Sequence, residues 1–242
     1  MDRQPRTLVV IPAYNEEGNL VDTIEEVREK APWVDILVVD DGSDDNTAEI
    51  ARNLGATIVS HCLNLGIGGA VQTALKIARM WDYDVAVQVD GDGQHDPGFI
   101  AELVRPIVED AVDITVGSRF LKNKKADGSL IRHIGIHFFS RLASLITRTR
   151  ITDCSSGFRA LSKNAIELFS DDYPVDFPDA EALIVAHRAG LRIAEVPVQF
   201  RSRRRGKSSL HFWRFLWYPV KEGFSILMLL TKRSRKQGGQ RT

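Results

Sequence analysis

Cysteine, signal sequences and repeats are scarce or absent in this sequence. Its two cysteines, Cys62 and Cys154, form no C-x-x-C pair in 242 residues, so neither a disulfide framework nor a zinc site is expected, and a reducing cytosolic setting fits. The first fifteen residues run from a polar start into an apolar strand pattern, without the apolar region of a secretory signal. What remains is ordinary globular composition, 43% hydrophobic and 26% charged, which suffices for one large domain and a tail.

The chain has no net charge, but its acidic and basic residues are unevenly distributed along the sequence. Residues 201–242 hold twelve lysines and arginines and one acid, Glu222, which leaves twenty bases and thirty-one acids in residues 1–200. Basic tails bind phosphate, whether in nucleic acid, anionic lipid or a phosphorylated substrate. Since the acidic body repels a long polyanion and no stacking platform is evident, no nucleic-acid partner is expected.

A long apolar run is missing from the tail as well. Its longest uncharged stretch, residues 223–231, is far shorter than the ~20 residues that span a bilayer. Bases mixed with Trp213, Trp217 and Tyr218 suit a membrane interface. We therefore expect residues 207–242 to form an amphipathic tail that lies on a membrane surface or binds a small membrane-protein partner. The alternative for residues 212–216 is an ordinary helix docked on the core.

Apolar runs alternate with helical patterns through the first half of the chain. The runs are short and lie at residues 7–14, 35–41, 56–61, 84–90 and 113–118. This order predicts an α/β fold, a mostly parallel sheet with helices on both faces, for a domain at residues 1–206. A further helix is predicted at residues 129–150, and a strand with Pro197 at residues 191–200, either at the edge of the sheet or added late to it.

The segment "VQVDGDGQHD", residues 87–96, ends one of these strands with several acids and glycines. Asp90 and Asp92 can reach the same hard cation, and Gln94 and His95 can add or orient a ligand. Mg²⁺ or Mn²⁺ takes few protein ligands there and completes its shell with water and substrate phosphates. The simpler interpretation is a solvated loop that caps the next helix, a role that we assign to Asp96, which precedes Pro97.

Two more acids, Asp40 and Asp41, end the second strand. An acid at this place in a nucleotide-binding sheet accepts hydrogen bonds from ribose hydroxyls or a base edge. The alternative is the acidic pocket of a receiver domain, but such a domain needs roughly half this length and does not call for the later pair of aspartates. Residues 44–47 have the composition of a helix cap.

Glycines and arginines give the remaining signals. "LNLGIGGAVQTA" has Gly66 and Gly68 but Val71 at the third glycine position, so it indicates dinucleotide binding only weakly. A glycine-rich helix entry can still direct backbone N–H groups at an anion, and close helix–sheet packing explains the glycines at least as well. Arg119 follows the strand at residues 113–118. The segment "RSRRRGK", residues 201–207, concentrates five bases in an otherwise acidic protein, although a solvated loop is its simpler interpretation.

Taken in order, these motifs resemble family 2 glycosyltransferases of the GT-A fold. The matching stretches are "VVIPAYNEEGNL", "LVVDDGSDDNT", "NLGIGGAVQTAL", "VQVDGDGQHDP" and "VGSRF". In the second half, "DCSSGFRALS", "EVPVQF" and "RRRGKSSL" resemble the dolichol-phosphate mannose synthase type. The resemblance implies transfer of a sugar from a nucleotide-diphosphate donor, of the GDP-mannose or UDP-glucose type, to polyprenyl phosphate, with Mg²⁺ or Mn²⁺ as cofactor.

The resemblance also implies roles for individual residues. The first nucleotide-contacting loop would be Pro12, Tyr14 and Glu16, and Asp41, with Asp40 beside it, would face base and ribose. The metal and diphosphate would be held by Asp90, Asp92 and Gln94. Arginines near the acceptor phosphate would be Arg119 and Arg132, and a loop closing over the donor would carry Arg203, Arg205 and Ser208.

The mechanism implied is one inverting displacement at the anomeric carbon, in which an ionised phosphate acceptor needs no strong base. A hydroxyl acceptor on a lipid-linked saccharide would need one, and Asp179 or Glu181 in "FPDAE" is the candidate, although Asp179 is also expected to cap the following helix. A non-catalytic nucleotide-binding scaffold is the alternative from another class. We expect an enzyme on the cytoplasmic face of a membrane.

Overall fold

The computed structural model describes residues 5–122, 130–174 and 179–202, with Gly223 and Met228, and at residues 130–132 it describes the backbone only. Within these residues one seven-stranded sheet has the order β3-β2-β1-β4-β6-β5-β7. Its strands are β1 Thr7–Ala13, β2 Asp35–Asp40, β3 Thr57–Ser60, β4 Val85–Gln88, β5 Ile114–Ser118, β6 Arg159–Ser162 and β7 Ile193–Pro197.

Seven α-helices of the described residues cover both faces of the sheet. They are α1 Leu20–Lys30, α2 Thr47–Asn53, α3 Gly66–Met80, α4 Ile100–Val108, α5 Leu130–Thr147, α6 Lys163–Asp171 and α7 Ala180–Arg188. Leu8 and Val10 of β1 pack into one core with α3, α5, α6 and α7. Val9 and Ile11 pack into the other with α1 and α4. Because successive strand residues point to opposite faces and both faces are covered, the strands are continuously apolar.

The predicted α/β fold with a mostly parallel sheet is confirmed. β1, β2, β3 and β4 are mutually parallel, and β7 lies at the edge, one of the two alternatives predicted from its proline. The exception is β6, which is antiparallel to both β4 and β5. The predicted helix at residues 129–150 is α5, whereas α6 was not predicted.

The predicted tail, residues 207–242, lies outside the described residues except for Gly223 and Met228. The division of the chain at residue 206 therefore remains a prediction. Among the helices that are described, none has both the length and the apolar character needed to cross a membrane.

Candidate active site

The predicted acidic loops meet at one edge of the sheet. Because β1, β2 and β4 are parallel, their carboxyl ends lie side by side. The backbone ties the loops together, since Asp41 N–H donates to the carbonyl of Ala13 over 2.8 Å and His61 N–H donates to the carbonyl of Asp40 over 2.9 Å. Residues from three separate parts of the chain thus form one surface.

The first loop follows β1, which contains Pro12. Tyr14 is partly exposed, whereas Glu16 is buried. Its carboxylate accepts a hydrogen bond of 2.8 Å from Asn19 Nδ2. Gly91 of the third loop lies so close that an added Cβ would be 3.3 Å from the carbonyl oxygen of Pro12 and 3.6 Å from Cγ of Glu16. A glycine at position 91 therefore lets the first and third loops pack together.

The two acids at the end of β2, Asp40 and Asp41, are both buried. Asp40 Oδ1 accepts a hydrogen bond of 3.0 Å from the N–H of Ser43. Asp41 accepts from the N–H groups of Leu65, over 2.9 Å, and Gly66, over 2.8 Å, at the start of α3. Its Oδ1 also lies 2.7 Å from Nδ1 of His61. Asp41 therefore anchors the entry to α3, and its contact with a nucleotide stays a prediction.

The third loop carries the paired aspartates. The Asp90 side chain is 34% exposed, and its Oδ1 accepts a hydrogen bond of 2.9 Å from Gln88 Nε2. Asp90 N–H donates to Nδ1 of the buried His95 over 3.0 Å. Since Nδ1 accepts, the ring proton lies on Nε2, which is 3.5 Å from Asp90 Oδ2. His95 thereby fixes the backbone at Asp90 and lies beside its carboxylate.

The neighbouring residues of this loop have the roles expected of a turn and a cap. Asp92 Oδ1 accepts a hydrogen bond of 3.0 Å from the N–H of Gln94. Asp96 accepts from Gly98 N–H over 2.9 Å at the start of a short 3₁₀ turn, as predicted. Burial would raise the pKa of Asp96, but hydrogen bonds from Lys30, Gly98 and Arg201 outweigh it, so the pKa lies below its ordinary value.

The start of the basic segment is docked on this acidic loop. Phe200 pairs with His95 in an antiparallel bridge, and the His95 ring lies between the rings of Phe158 and Phe200, with centroids 4.8 Å from each. Arg201 N–H donates to the carbonyl of Gln94 over 2.9 Å. Its guanidinium bridges Glu26 and Asp96 over 2.6 and 2.9 Å. Arg203, Arg205 and Ser208 follow directly but lie outside the described residues.

Arg119, which follows β5, is held by a carboxylate that the sequence interpretation missed. Nε and Nη2 of Arg119 each donate to the fully buried Asp153 over 2.7 Å. Nη2 also donates to Ser155 Oγ over 2.7 Å, and the guanidinium lies 4.7 Å from the ring centroid of Phe200. No acceptor among the described residues reaches Nη1. Arg132 lies in α5, and its side chain is outside the described residues.

Glu195 of β7 supports Asp153 in turn. It accepts hydrogen bonds of 2.8 Å from the N–H groups of Thr152 and Asp153 and one of 2.7 Å from Thr152 Oγ1. Burial raises the pKa of Glu195 above its ordinary value, and these hydrogen bonds offset the rise only in part. Arg119 is therefore positioned through two successive carboxylates.

A buried arginine connects the loop before β6 with the start of α7. Arg159 donates to the carbonyl oxygens of Ser156, over 2.8 Å, Cys154, over 2.7 Å, and Asp179, over 3.0 Å. Asp179 occupies the N-cap position of α7, but its side chain does not accept the capping hydrogen bond. Asp179 therefore lies at the predicted cap position, but a capping hydrogen bond from its carboxylate is not formed, and Arg159 holds its backbone carbonyl. Glu181 lies in the first turn of the same helix.

The acidic loop has the donors that a hard divalent cation prefers. Asp90, Asp92 and Gln94 offer carboxylate and amide oxygens. An added Cβ at Gly157 would lie 3.1 and 3.3 Å from the two carboxylate oxygens of Asp90, so the bare backbone keeps the space beside Asp90 open. The described residues hold no group of three or more His, Cys, Asp or Glu that could bind a metal. A cation here would thus depend on water and substrate oxygens for its remaining ligands.

Known proteins resemble this chain over most of its length. The family model for glycosyl transferase family 2 matches residues 8–169. UDP-N-acetylglucosamine–dolichyl-phosphate N-acetylglucosaminyltransferase of Methanococcus voltae is 34% identical over 212 residues, covering 79% of this chain and 84% of that protein. Undecaprenyl-phosphate mannosyltransferase of Micrococcus luteus is 31% identical over 219 residues, covering 85% of this chain and 87% of that protein.

A solved structure shows the same fold. Glucosyl-3-phosphoglycerate synthase from Mycobacterium tuberculosis, in complex with Mn²⁺, UDP-glucose and phosphoglyceric acid, superposes with a TM-score of 0.70. It is 20% identical, and the match covers 93% of this chain and 79% of that chain. The prediction of a GT-A fold is confirmed by this likeness together with the sheet topology.

Proposed function

The chain belongs to glycosyl transferase family 2, and we propose that it moves a sugar from a nucleotide-diphosphate donor to polyprenyl phosphate. The acceptor class is supported by the relatives, two of which are named for transfer to dolichyl phosphate and undecaprenyl phosphate. The donor is a GDP- or UDP-sugar, and the relative from Methanococcus voltae, named for UDP-N-acetylglucosamine, adds that sugar to mannose and glucose as a candidate.

The observation that carries this proposal is the docking of Phe200 and Arg201 on the acidic loop. Arg203 and Arg205 are two and four residues further along the chain. An extended residue advances the chain by about 3.3 Å, so both arginines start within reach of a diphosphate bound beside Asp90 and Asp92. The negatively charged nucleotide-sugar donor would thus lie between two parts of the chain. One is the acidic loop with its bound cation, and the other is the basic segment, which is anchored to that loop.

A divalent cation, Mg²⁺ or Mn²⁺, would be held by Asp90, Asp92 and Gln94. When bound, it would neutralise the charge that develops on the diphosphate as the donor is cleaved. The chain's own residues prepare this place, because His95 fixes the backbone at Asp90 and Gly157 leaves the space beside the Asp90 carboxylate open. The first loop, with Pro12, Tyr14 and Glu16, and the acids Asp40 and Asp41 would contact the nucleoside.

The transfer itself is a single displacement. A phosphate oxygen of the acceptor attacks the anomeric carbon, the bond from that carbon to the diphosphate oxygen breaks, and the nucleoside diphosphate leaves with the bonding electrons. The configuration at the carbon inverts. Since a phosphate monoester is already ionised near neutral pH, no side chain has to remove a proton.

Arg119 is the residue best supported as the acceptor-phosphate ligand. Asp153 takes Nε and Nη2, which fixes the plane of the guanidinium and leaves Nη1 to donate. An arginine fixed in this way loses little freedom when it binds phosphate, which favours binding. Arg132 is proposed for the same phosphate, and Arg203, Arg205 and Ser208 for closure over the donor.

The place of action follows from the acceptor. Polyprenyl phosphate is confined to a membrane, so the enzyme would act as a peripheral protein, on the cytoplasmic face where nucleotide sugars are available. The tail at residues 207–242, rich in bases and aromatics, would bind the membrane surface or a small membrane protein.

The test measures sugar transfer into a lipid phase. The full chain is incubated with GDP-mannose, UDP-glucose or UDP-N-acetylglucosamine and with undecaprenyl phosphate in detergent, in the presence of Mn²⁺, Mg²⁺ or EDTA. We expect one donor to label the lipid, EDTA to abolish labelling, and Asp92→Asn to reduce it by about a hundredfold or more. Asp110→Asn is the matched control, because Asp110 is an exposed acid whose pair with Arg192 lies on the surface.

Other results would overturn the proposal in distinguishable ways. Label that enters only the hydroxyl of a lipid-linked saccharide, and is lost in Asp179→Asn, would establish the hydroxyl-acceptor alternative. A metal-dependent rise in melting temperature with a nucleotide, without transfer to any acceptor, would identify a nucleotide-binding scaffold.

A further inference from the structure

The outer face of α5 bears large apolar side chains that the fold leaves exposed. Ile134, Phe138 and Leu145 are 61%, 62% and 78% exposed. Their spacing of four and seven residues places them on one side of the helix, together with the exposed Arg141. The opposite side, which includes Phe139 and Ala143, is buried in the core shared with α7. The outer face is therefore not explained by folding of the domain.

The charge of this stretch has one sign. Between Asp127 and Asp153 the sequence contains no acid, but it contains four arginines, at positions 132, 141, 148 and 150. An apolar stripe with flanking arginines and no carboxylate matches the interface of an anionic bilayer, where apolar side chains enter the acyl boundary and arginines meet lipid phosphates. A protein surface would need carboxylates placed to pair with these arginines, whereas a bilayer supplies phosphate everywhere.

The helix is also connected to the candidate acceptor site. Phe120 contacts the ring of His137, with centroids 5.1 Å apart, and the ring of His133, with centroids 5.8 Å apart. On its other side Phe120 lies under Arg119, whose guanidinium carbon is 5.6 Å from the ring centroid. A surface that contacts α5 would therefore be separated by a single side chain, that of Phe120, from Arg119, the arginine proposed to bind the acceptor phosphate.

We propose that the outer face of α5, formed by Ile134, Phe138, Arg141 and Leu145, rests on an anionic lipid bilayer and sets Arg119 at the height of the lipid phosphates. A helix of eighteen residues lying in the interface is about 27 Å long, long enough to fix the tilt of the domain. The presentation of an acceptor to Arg119 rests on the proposed function, whereas the contact with the bilayer does not depend on it.

The direct test is co-sedimentation of the full chain with vesicles of phosphatidylcholine, alone or with about 30% phosphatidylglycerol. We expect binding to the anionic vesicles and a fall of about tenfold or more in the partition coefficient of Phe138→Ser/Leu145→Ser, because two large apolar groups no longer leave water. Met80→Ser/Val108→Ser is the matched control, since both residues are exposed at the ends of other helices. It should bind as the unchanged chain does. Melting temperatures of both variants verify folding.

Activity separates this inference from the proposed function. With undecaprenyl phosphate in vesicles, Phe138→Ser/Leu145→Ser should lose transfer in proportion to binding, and with a short, water-soluble prenyl phosphate it should retain transfer. If no prenyl phosphate is a substrate for the unchanged chain, the proposed function fails while the vesicle result still decides the contact.

Four results would overturn the contact. The unchanged chain could fail to bind anionic vesicles. The control variant could lose as much binding as the α5 variant. The α5 variant could bind normally while replacement of Lys232, Arg233, Arg235 and Lys236 by glutamine abolishes binding, which would assign the membrane contact to the tail alone. Light scattering of the unchanged chain and the α5 variant tests a second copy as occupant, and a dimer that only the α5 change dissociates would also overturn the inference.

Discussion

Replacement of Asp153 by asparagine probes the buried ion pair that holds Arg119. The substitution keeps the shape of the side chain and removes its charge. In the native protein the two carboxylate oxygens accept Nε and Nη2 of Arg119, and Oδ2 also accepts the N–H of Arg119 over 3.1 Å. Asparagine retains one oxygen and turns an NH₂ group toward the guanidinium, so at least one N–H of Arg119 faces another donor.

The magnitude follows from burial. Asp153 is fully buried and the Arg119 side chain is 11% exposed, so the remaining cation is neither paired nor well hydrated. Breaking a buried pair in this way costs about 3 kcal/mol or more. For a chain of 242 residues, about 3 kcal/mol corresponds to a fall in melting temperature of roughly 6–12 °C.

Calorimetry and urea unfolding measure this change, and Asp110→Asn provides the control. Asp110 pairs with Arg192, but its side chain is 92% exposed, and Arg192 keeps a second carboxylate, Asp113. Asparagine also tolerates the positive φ of 52° at this position. We expect a change of about 0.5 kcal/mol or less. Equal destabilisation by the two substitutions would refute the claim that burial decides the strength of the Asp153 pair.

The remaining predictions concern Glu195 and Gly157. Because the pKa of Glu195 is raised in the native state, its contribution to stability is fully present below the ordinary glutamate value and is lost as pH rises through the raised pKa. The free energy of unfolding of Glu195→Gln, relative to the unchanged chain, should therefore increase from pH ~4.5 to pH ~7, and a flat difference in urea titrations would contradict this. Gly157→Ala should weaken metal-dependent nucleotide binding in thermal-shift assays, because its Cβ would lie 2.8 Å from Gln88 Nε2 and would crowd Asp90. Gly135→Ala, in α5 with nothing within 4 Å of the added Cβ, is the control and should bind as the unchanged chain does.

The sheet and its acidic loops could be predicted from sequence because the two signals coincide. Strands buried on both faces are apolar runs, and in parallel sheets the polar residues that follow them gather at one edge. Asp40, Asp41, Asp90 and Asp92 were found in this way. The different roles of Asp40 and Asp41 could not be predicted. Asp41 anchors α3 because it accepts the N–H groups of Leu65 and Gly66, which reach it only in the folded chain.

The second half of the site escaped prediction because β6 runs against its neighbours. An antiparallel strand brings its beginning, not its end, to the edge where the site lies. Asp153 and Gly157 therefore reach the site from the loop before β6, and Arg159 reaches it from the first position of β6. The rule that site residues follow the ends of parallel strands does not predict them. The segment "DCSSGFRALS" is marked only by its resemblance to the family, and no pattern in the sequence indicates that Glu195 supports it.

The bridge between His95 and Phe200 affects the order in which the active site forms as the enzyme is synthesised and folds. The two residues are about one hundred positions apart, and contacts of such long range form late, since the intervening chain must first be ordered. During synthesis the acidic loop emerges well before β7 and the residues that lock it. A nascent chain would thus hold Asp90 and Asp92 without their partner segment, and the ability to retain a donor should arise only when β7 has joined the sheet.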